Sequence, residues 1–382
     1  ARIGYYCLAS TTYTSSNDVI GIYDVVVPVV VISVTRAVNL HIDTANSAIA
    51  SLTLDVTGVS SNITLRQHNN VGETFEVNIA NSDEATVSLT DSVYSKSVTM
   101  GVTATDSLVV VNRTYMGSFK STGALSTGSS LLIDQSTIEN KLASVQKAFE
   151  NSASFAASLL EVRRSRILTV ERHAMFFGAH VLAGGIHRFV DNEIRTTYTT
   201  TVTSGNQPVQ SAIGYYYANY FYTGAVLEMS NNEVSVGTNY SYGLYVRPNA
   251  GRVVHDGLNR YTNGHIYVYH MTSANNNHFV LNHSTMLQSV NLLCNVAATV
   301  TYLNSTVGLY NSVAVSVEVG VAKAVNMAVD SSDMTVGAFT VSATAAVDVV
   351  SVDARRMVGD TITWNFASTA NALSGSITDG RM

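Results

Sequence analysis

The sequence predicts a mainly β protein: duplicated β-sandwich or barrel-like domains at the two ends of the chain, a central helical segment and a Tyr-rich β insertion. Three observations carry that expectation. Residues 1–80 align without a gap on residues 288–367, and twenty of the eighty pairs are identical, among them Cys7/Cys294, Gly21/Gly308, Tyr23/Tyr310, Asn39/Asn326, Asp43/Asp330 and Gly72/Gly359. Composition alone would supply about seven. Stretches dense in β-branched residues, such as Val25–Val34 and the alternating Val313-x-Val315-x-Val317-x-Val319-x-Val321, read as strands. Only residues 136–191 carry helical spacing.

The first copy occupies 1–92. Val25–Val34 is apolar at nearly every position and is expected to be covered on both faces, whereas its counterpart in the second copy alternates and expects one buried face. Ala50–Val56, Asn62–Leu65, Thr74–Ile79 and Ala85–Leu89 follow at intervals of about ten residues, a spacing suited to a sandwich or small barrel. Residues 93–135 read as a β extension, with a strand at Leu108–Asn112 and a loop over Gly117–Ser130. In 136–191, Ser136-Thr137-Ile138-Glu139 matches a capping box, in which hydroxyl and carboxylate satisfy the orphan amides of a helix start. Ile138, Leu142, Val145, Phe149, Ala156 and Leu159 then keep helical spacing, and a second helix is expected from about 167 to 182, ending at Gly184-Gly185. Residues 192–287 form a Tyr- and His-rich β region, and 288–382 the second copy.

Charged residues make up 13% of the 382, about half the usual share, and Ser, Thr and Asn supply the polarity. A surface covered by copies of the same chain would fit such a composition, because contacts free of charge avoid its desolvation cost. The net charge of −6 gives no basis for nucleic-acid or anionic-membrane binding. The longest apolar run, Val25–Val34, is interrupted by Pro28 and Ser33 and is too short for a spanning helix. The opening Ala1-Arg2-Ile3-Gly4 lacks the charged and apolar regions of a signal peptide. Cys7 and Cys294 occupy one position in the two copies. Buried free thiols are expected, with a bridge between the copies as the alternative.

No Walker A loop, Gly-x-Ser-x-Gly elbow, His-Glu-x-x-His or Rossmann glycine fingerprint is present, so no enzyme, catalytic residue, cofactor or metal is expected. His173, His180 and His187 recur every seventh residue, too far apart on a helix to share one metal, and are read as hydrogen-bonded core histidines. Arg163, Arg164, Arg166 and Arg172 could hold a carboxylate, a phosphate or a nucleic-acid backbone, but the interleaved Glu161 and Glu171 favour salt bridges. Tyr215, Tyr216, Tyr217, Tyr267, Tyr269, His265 and His270 suit either a protein–protein interface, where Tyr is enriched, or a glycan site, where aromatic faces stack on sugars.

With two terminal copies flanking a distinct middle, the layout resembles virion proteins that carry a duplicated β domain, such as duplicated tail-tube subunits and double-barrel capsid proteins. The resemblance implies a self-assembling structural subunit of a capsid shell or tail tube. Its partners would be copies of itself and other virion proteins, with no membrane and no specific nucleic acid, and its location the virion. The alternative is a surface adhesin or fibre-like protein that binds a glycan or receptor.

Overall fold

The structure is a computed structural model. It describes the backbone from residue 2 to 378 except 8–16, 36–38, 59–61, 142–146, 200–210, 216–221, 223, 238–241, 247–250, 271–276, 283–284, 287–289, 295–297, 304–305, 308–315, 322–325, 333–334, 344–348, 357 and 367–372. Side chains are described outside those gaps from 17 to 268, Asn81 excepted, and at 282, 355 and 356.

The β-branched runs do form strands, but each pairs in parallel with the strand two places along the chain. Val26–Val34 lies beside Ala48–Val56, then Val71–Ser82, then Val93–Ala104 in one sheet, here sheet A. The strands between them, Asn17–Tyr23, Asn39–Ala45, Asn62–His68 and Glu84–Thr90, stack in the same order in sheet B, which reaches fifteen described strands and ends at Leu373–Thr378. Each turn of the chain lays one strand on each sheet, which makes a parallel β-solenoid. The registers Asn39↔Asn62, Asn62↔Glu84 and Leu108↔Ser130 give turns of 22 or 23 residues.

Sheet A divides along the rod. Val93–Ala104 pairs with both Tyr115–Met116 and Phe119–Ser121, and the next turns carry two short strands such as Thr137–Asn140 and Lys147–Asn151. The branches rejoin at Thr335–Ala343, which pairs with Thr306–Val307 and Ser316–Val321. End turns are therefore two-sided and central turns three-sided.

This corrects the expected sandwich or barrel. Every described pairing is parallel, whereas sandwiches and up-and-down barrels are built from antiparallel neighbours. Strands at about ten-residue intervals arise in either fold, since a turn of 22 or 23 residues contributes two of them. The two-sided turns at either end fall within the two sequence copies: Asn39–Ala45 corresponds to Asn326–Ser332, Ala48–Val56 to Thr335–Ala343 and Asn62–His68 to Val349–Arg355. Val290–Cys294, Thr306–Val307 and Ser316–Val321 of the second copy still belong to divided turns. From Asn39 and Asn326 onward the copies share a turn of 23 residues, whereas the turn before is 22 residues in the first copy, Asn17↔Asn39, and 29 in the second, Ala298↔Met327. Cys7 and Cys294 are eleven ladder steps apart, roughly 50 Å, far beyond disulfide reach within the chain.

The helical segment is also corrected, since the described residues contain no helix. The described part of 136–191 holds six short strands, including Leu159–Arg163, Arg166–Thr169, His173–Phe177 and Ile186–Val190. Corners after four or five residues bring apolar positions round at irregular intervals that imitate a helical face. Ile138 and Phe149 are core, but Leu159 faces outward and Leu160 is the buried residue; Leu142 and Val145 lie outside the described residues. Val26–Val34 buries one face only: Val27, Val30, Ile32 and Val34 point inward while Val26 is 86% exposed. The Tyr-rich region is β, as expected, through Ser211–Tyr215, Tyr242–Val246 and His265–His270, which continue sheet A.

The corner from sheet B to sheet A explains the regularity. Its first residue has positive φ at Asp24, Asn46, Asn69, Asp91, Arg113, Gln135, Arg164, Asp191 and Asn231, a conformation that Asn and Asp tolerate better than most. The second residue is Val25 after Asp24 and is otherwise buried and polar: Ser47, Asn70, Ser92, Thr114, Ser136, Ser165, Asn192 and Asn232. A buried amide needs an acceptor, and the next turn's side chain supplies it. Ser47 N donates to Asn70 Oδ1 (2.9 Å), Asn70 N to Ser92 Oγ (3.1 Å), Ser136 N to Ser165 Oγ (3.1 Å), Ser165 N to Asn192 Oδ1 (3.0 Å), Asn192 N to Asn232 Oδ1 (3.1 Å) and Asn232 N to Asn259 Oδ1 (3.0 Å). Ser136, expected to cap a helix, accepts from Thr114 N instead. Inside the first two-sided turns aliphatic side chains dominate, and Phe75 packs there against Tyr94 at 5.4 Å. The wider central turns use an aromatic column, Phe119–Phe149–Phe177–Tyr215, with centroids 5.4, 5.6 and 4.3 Å apart.

The corners set the effect of two substitutions. Asn232→Ala removes one acceptor and two donated bonds inside the protein and is expected to lower unfolding free energy by about 2–4 kcal/mol in urea titrations. Ala157 has φ +46 in the opposite corner, beside Gly128 and Gly184 at φ +84 and +73, so Ala157→Gly is expected to be neutral or stabilising by up to about 1 kcal/mol.

Candidate functional site: a furrow along sheet A

The division of sheet A begins as a bend. Pro28 has no amide to give the ladder, and the pairs Val27↔Ile49 and Val29↔Ser51 close on either side of it. Two turns on, the register shifts between Gly72 and Thr74. Two turns further the strand is interrupted at Gly117, where a Cβ would stand 2.5 Å from the carbonyl oxygens of both Ser95 and Lys96. Only glycine allows the chain so close an approach.

The outer side of this bend is a continuous furrow. Its first section, about 560 Å3, is apolar and lined by Val26, Pro28, Ala48, Val71, Val93 and Ser95. Ser95 also borders the second, about 300 Å3, with Lys96, Tyr115, Ser118, Glu139 and Lys141. Glu139, Asn140 and Lys141 carry it into a third, about 250 Å3, lined by Arg166, Leu168, Val170, Glu193 and Arg195. From Val26–Val34 to Glu193–Thr196 this crosses seven ladder steps, roughly 34 Å.

Nearly every charge in the furrow is matched. Lys96 lies 2.6 Å from Glu73, Lys141 3.0 Å from Glu139, and Arg166 2.7 Å from Glu193. Tyr115 Oη donates to Glu139 Oε2 at 3.2 Å, and burial together with that carboxylate raises its pKa. Hydrogen bonds to Glu139 and Glu193 likewise raise the pKa values of Lys141 and Arg166. Arg195 is different: it stands in one column with Glu139 and Leu168, is exposed, and has no ion-pair partner among the described residues.

The sequence candidates are dispersed. Arg166 lines the furrow, whereas Arg163 and Arg164 lie on the other sheet's side and both bond Asp134, Arg163 at 3.0 Å and Arg164 through Nε at 2.9 Å. Burial pushes the Asp134 carboxyl up, but the two guanidiniums outweigh it and hold its pKa below the ordinary value. Glu161, Arg188 and Glu228 form an adjoining ladder, with Arg188 3.4 Å from Glu161 and 2.7 Å from Glu228. Tyr215 is core, its hydroxyl 2.8 Å from His187 Nδ1 and its ring on Phe177. Tyr267 is half-buried and stacks on Tyr245 at 5.3 Å, with His265 half-buried nearby beside Tyr242. Tyr216 and Tyr217 lie outside the described residues, as do the side chains of Tyr269 and His270. His173 and His187 are buried on different strands, and His180 packs edge-on against Tyr222. Among the described residues no group of three or more His, Cys, Asp or Glu could hold a metal ion, and no helix is long and apolar enough to cross a membrane.

Tyr115, Glu139, Lys141 and Arg195 escaped sequence reasoning. The signal was a column: Val71, Val93, Tyr115 and Thr137 recur at an interval of 22 and occupy successive rungs. Comparison with protein-family models, with curated proteins and with solved structures gives no match.

Burial lowers the pKa of both His173 and His187 from the ordinary 6.5 to about 3. The unfolded chain takes up these protons near pH 6.5 and the folded chain only near pH 3, so their contribution is complete above 6.5 and is lost as pH falls. Between pH 7 and pH 5 the unfolding free energy is expected to drop by roughly 2 kcal/mol per histidine. Equal stability at the two pH values in urea titrations would contradict the buried placement.

Proposed function

We propose that this chain is a fibre-like surface protein: a rigid rod that presents the furrow on sheet A to a ligand, in the manner of an adhesin or a receptor-binding fibre. One observation carries the reading. The turns satisfy one another's backbone hydrogen bonds and bury a single continuous core, and the concave surface they leave runs along the rod. A shell or tail-tube subunit with a duplicated β domain presupposes two separate sandwich or barrel units, and a solenoid supplies neither. A rod that holds its shape without a partner suits display at a cell surface or on a virion. No metal- or cofactor-dependent step enters the proposal.

Negative-stain electron microscopy across a concentration series, paired with light scattering, tests it. Separate rods about 70 Å long are expected, from fifteen sheet-B strands at the ladder spacing. Closed shells, rings or wide tubes at any concentration would reject the rod reading in favour of a structural subunit.

A further inference from the structure

Resting on the fibre-like reading, we propose that the furrow binds an extended acidic polysaccharide, with Arg195 as the anchor for a sugar carboxylate. Free backbone partners are what the furrow lacks. It runs over the outer face of sheet A, where backbone amides and carbonyls are already paired within the ladder. An extended peptide laid there would find no backbone partners and would leave its own polar groups unpaired where covered. A carbohydrate is served by side chains instead, and the furrow offers fixed donors and acceptors on successive rungs through the pairs Glu73–Lys96, Glu139–Lys141 and Arg166–Glu193.

Size excludes a second copy as the main occupant. A strip roughly 34 Å long and 10 Å wide offers less than half of the roughly 800 Å2 per partner of a stable interface. Charge sets the ligand's sign. Lys96, Lys141, Arg166 and Arg195 face Glu73, Glu139 and Glu193, so four cations meet three carboxylates, and the unmatched one is Arg195. A guanidinium with no partner presents the fork that a carboxylate takes in two parallel bonds. The near neutrality of the rest does not fit a dense polyanion such as a nucleic acid, which calls for many unpaired cations. Tyr115 and the exposed Val71 and Val93 offer apolar contact to the C–H faces of the sugar rings.

The test is titration calorimetry of the whole chain with oligogalacturonates of increasing length, beside neutral cello-oligosaccharides of the same lengths. Affinity for the acidic series is expected to rise with length until the furrow is filled, and the neutral series to bind more weakly. Arg195→Ala should weaken acidic binding about tenfold or more, and Arg195→Lys, which keeps the charge and loses the fork, by less. Arg66→Ala, which removes an exposed cation from sheet B, should leave binding unchanged. Circular dichroism of each variant separates lost binding from lost fold.

Equal weakening by Arg66→Ala and Arg195→Ala would overturn the proposal, as would loss of binding in Tyr267→Ala with Arg195→Ala unaffected. A dimer dispersed by Val71→Ser would assign the furrow to a second copy and also overturn it. Absence of sugar binding by a chain that still forms rods would overturn the ligand and leave the rod reading standing. Shells or tubes under the microscope would remove the reading on which it rests.

Discussion

Everything in this molecule depends on keeping parallel strands in register through a sharp corner. Parallel neighbours cannot be joined by a tight hairpin, so the chain must return through a full turn, and a slip of one residue would turn every core side chain outward. Two adjacent residues prevent the slip. The first takes positive φ, and the second turns a buried Ser or Asn inward to accept the amide of the previous turn, as Asn192 does for Ser165 and Asn232 for Asn192. Short polar side chains at this corner have both the reach for the job and a tolerance of the geometry.

That constraint also accounts for the composition. Outward positions on a stacked ladder meet their own equivalents one rung away at the strand spacing, and like charges placed so close repel. Small polar residues avoid the conflict. Several charged columns alternate in sign, as in Glu161, Arg188 and Glu228, and where two carboxylates do meet, at Glu193 and Glu233, Arg166 and Arg260 flank them. Exposed pairs of this kind each contribute at most about 1 kcal/mol, so they favour the correct register more than they hold the fold. The low charged fraction, which reads in sequence as a surface hidden by copies of itself, has a cause within one chain.

The β class was legible, because Val30, Ile32 and Val34 alternate with outward residues as a half-buried strand must. The architecture was not. The 287-residue offset stands out in the sequence, whereas the shorter period of 22 or 23 rests on pairs such as Asn46-Ser47, Asn69-Asn70 and Asp91-Ser92, which are common in any turn. Insertions at the central corners lengthen that period between Arg164 and Asp191 and again before Asn231, and so hide it where aromatic residues are densest. Of the site, Arg166 was visible as part of a basic run. Arg195 and Tyr115 are isolated in sequence and acquire neighbours only when turns stack. The arginine run is divided because successive strands belong to opposite sheets, which sends Arg163 and Arg166 to different sides of the rod.

The central claim is that successive turns stack along one axis, and pulsed electron paramagnetic resonance tests it most directly. Thr64, Leu108 and Arg252 occupy one column of sheet B, two and then five rungs apart. With Cys7 and Cys294 replaced by serine, spin labels at Thr64→Cys and Arg252→Cys should lie about 34 Å apart, and labels at Leu108→Cys and Arg252→Cys about 24 Å apart. The difference should equal two rungs. Distances that fail to grow with the number of intervening turns, as two packed terminal domains would give, would contradict the solenoid.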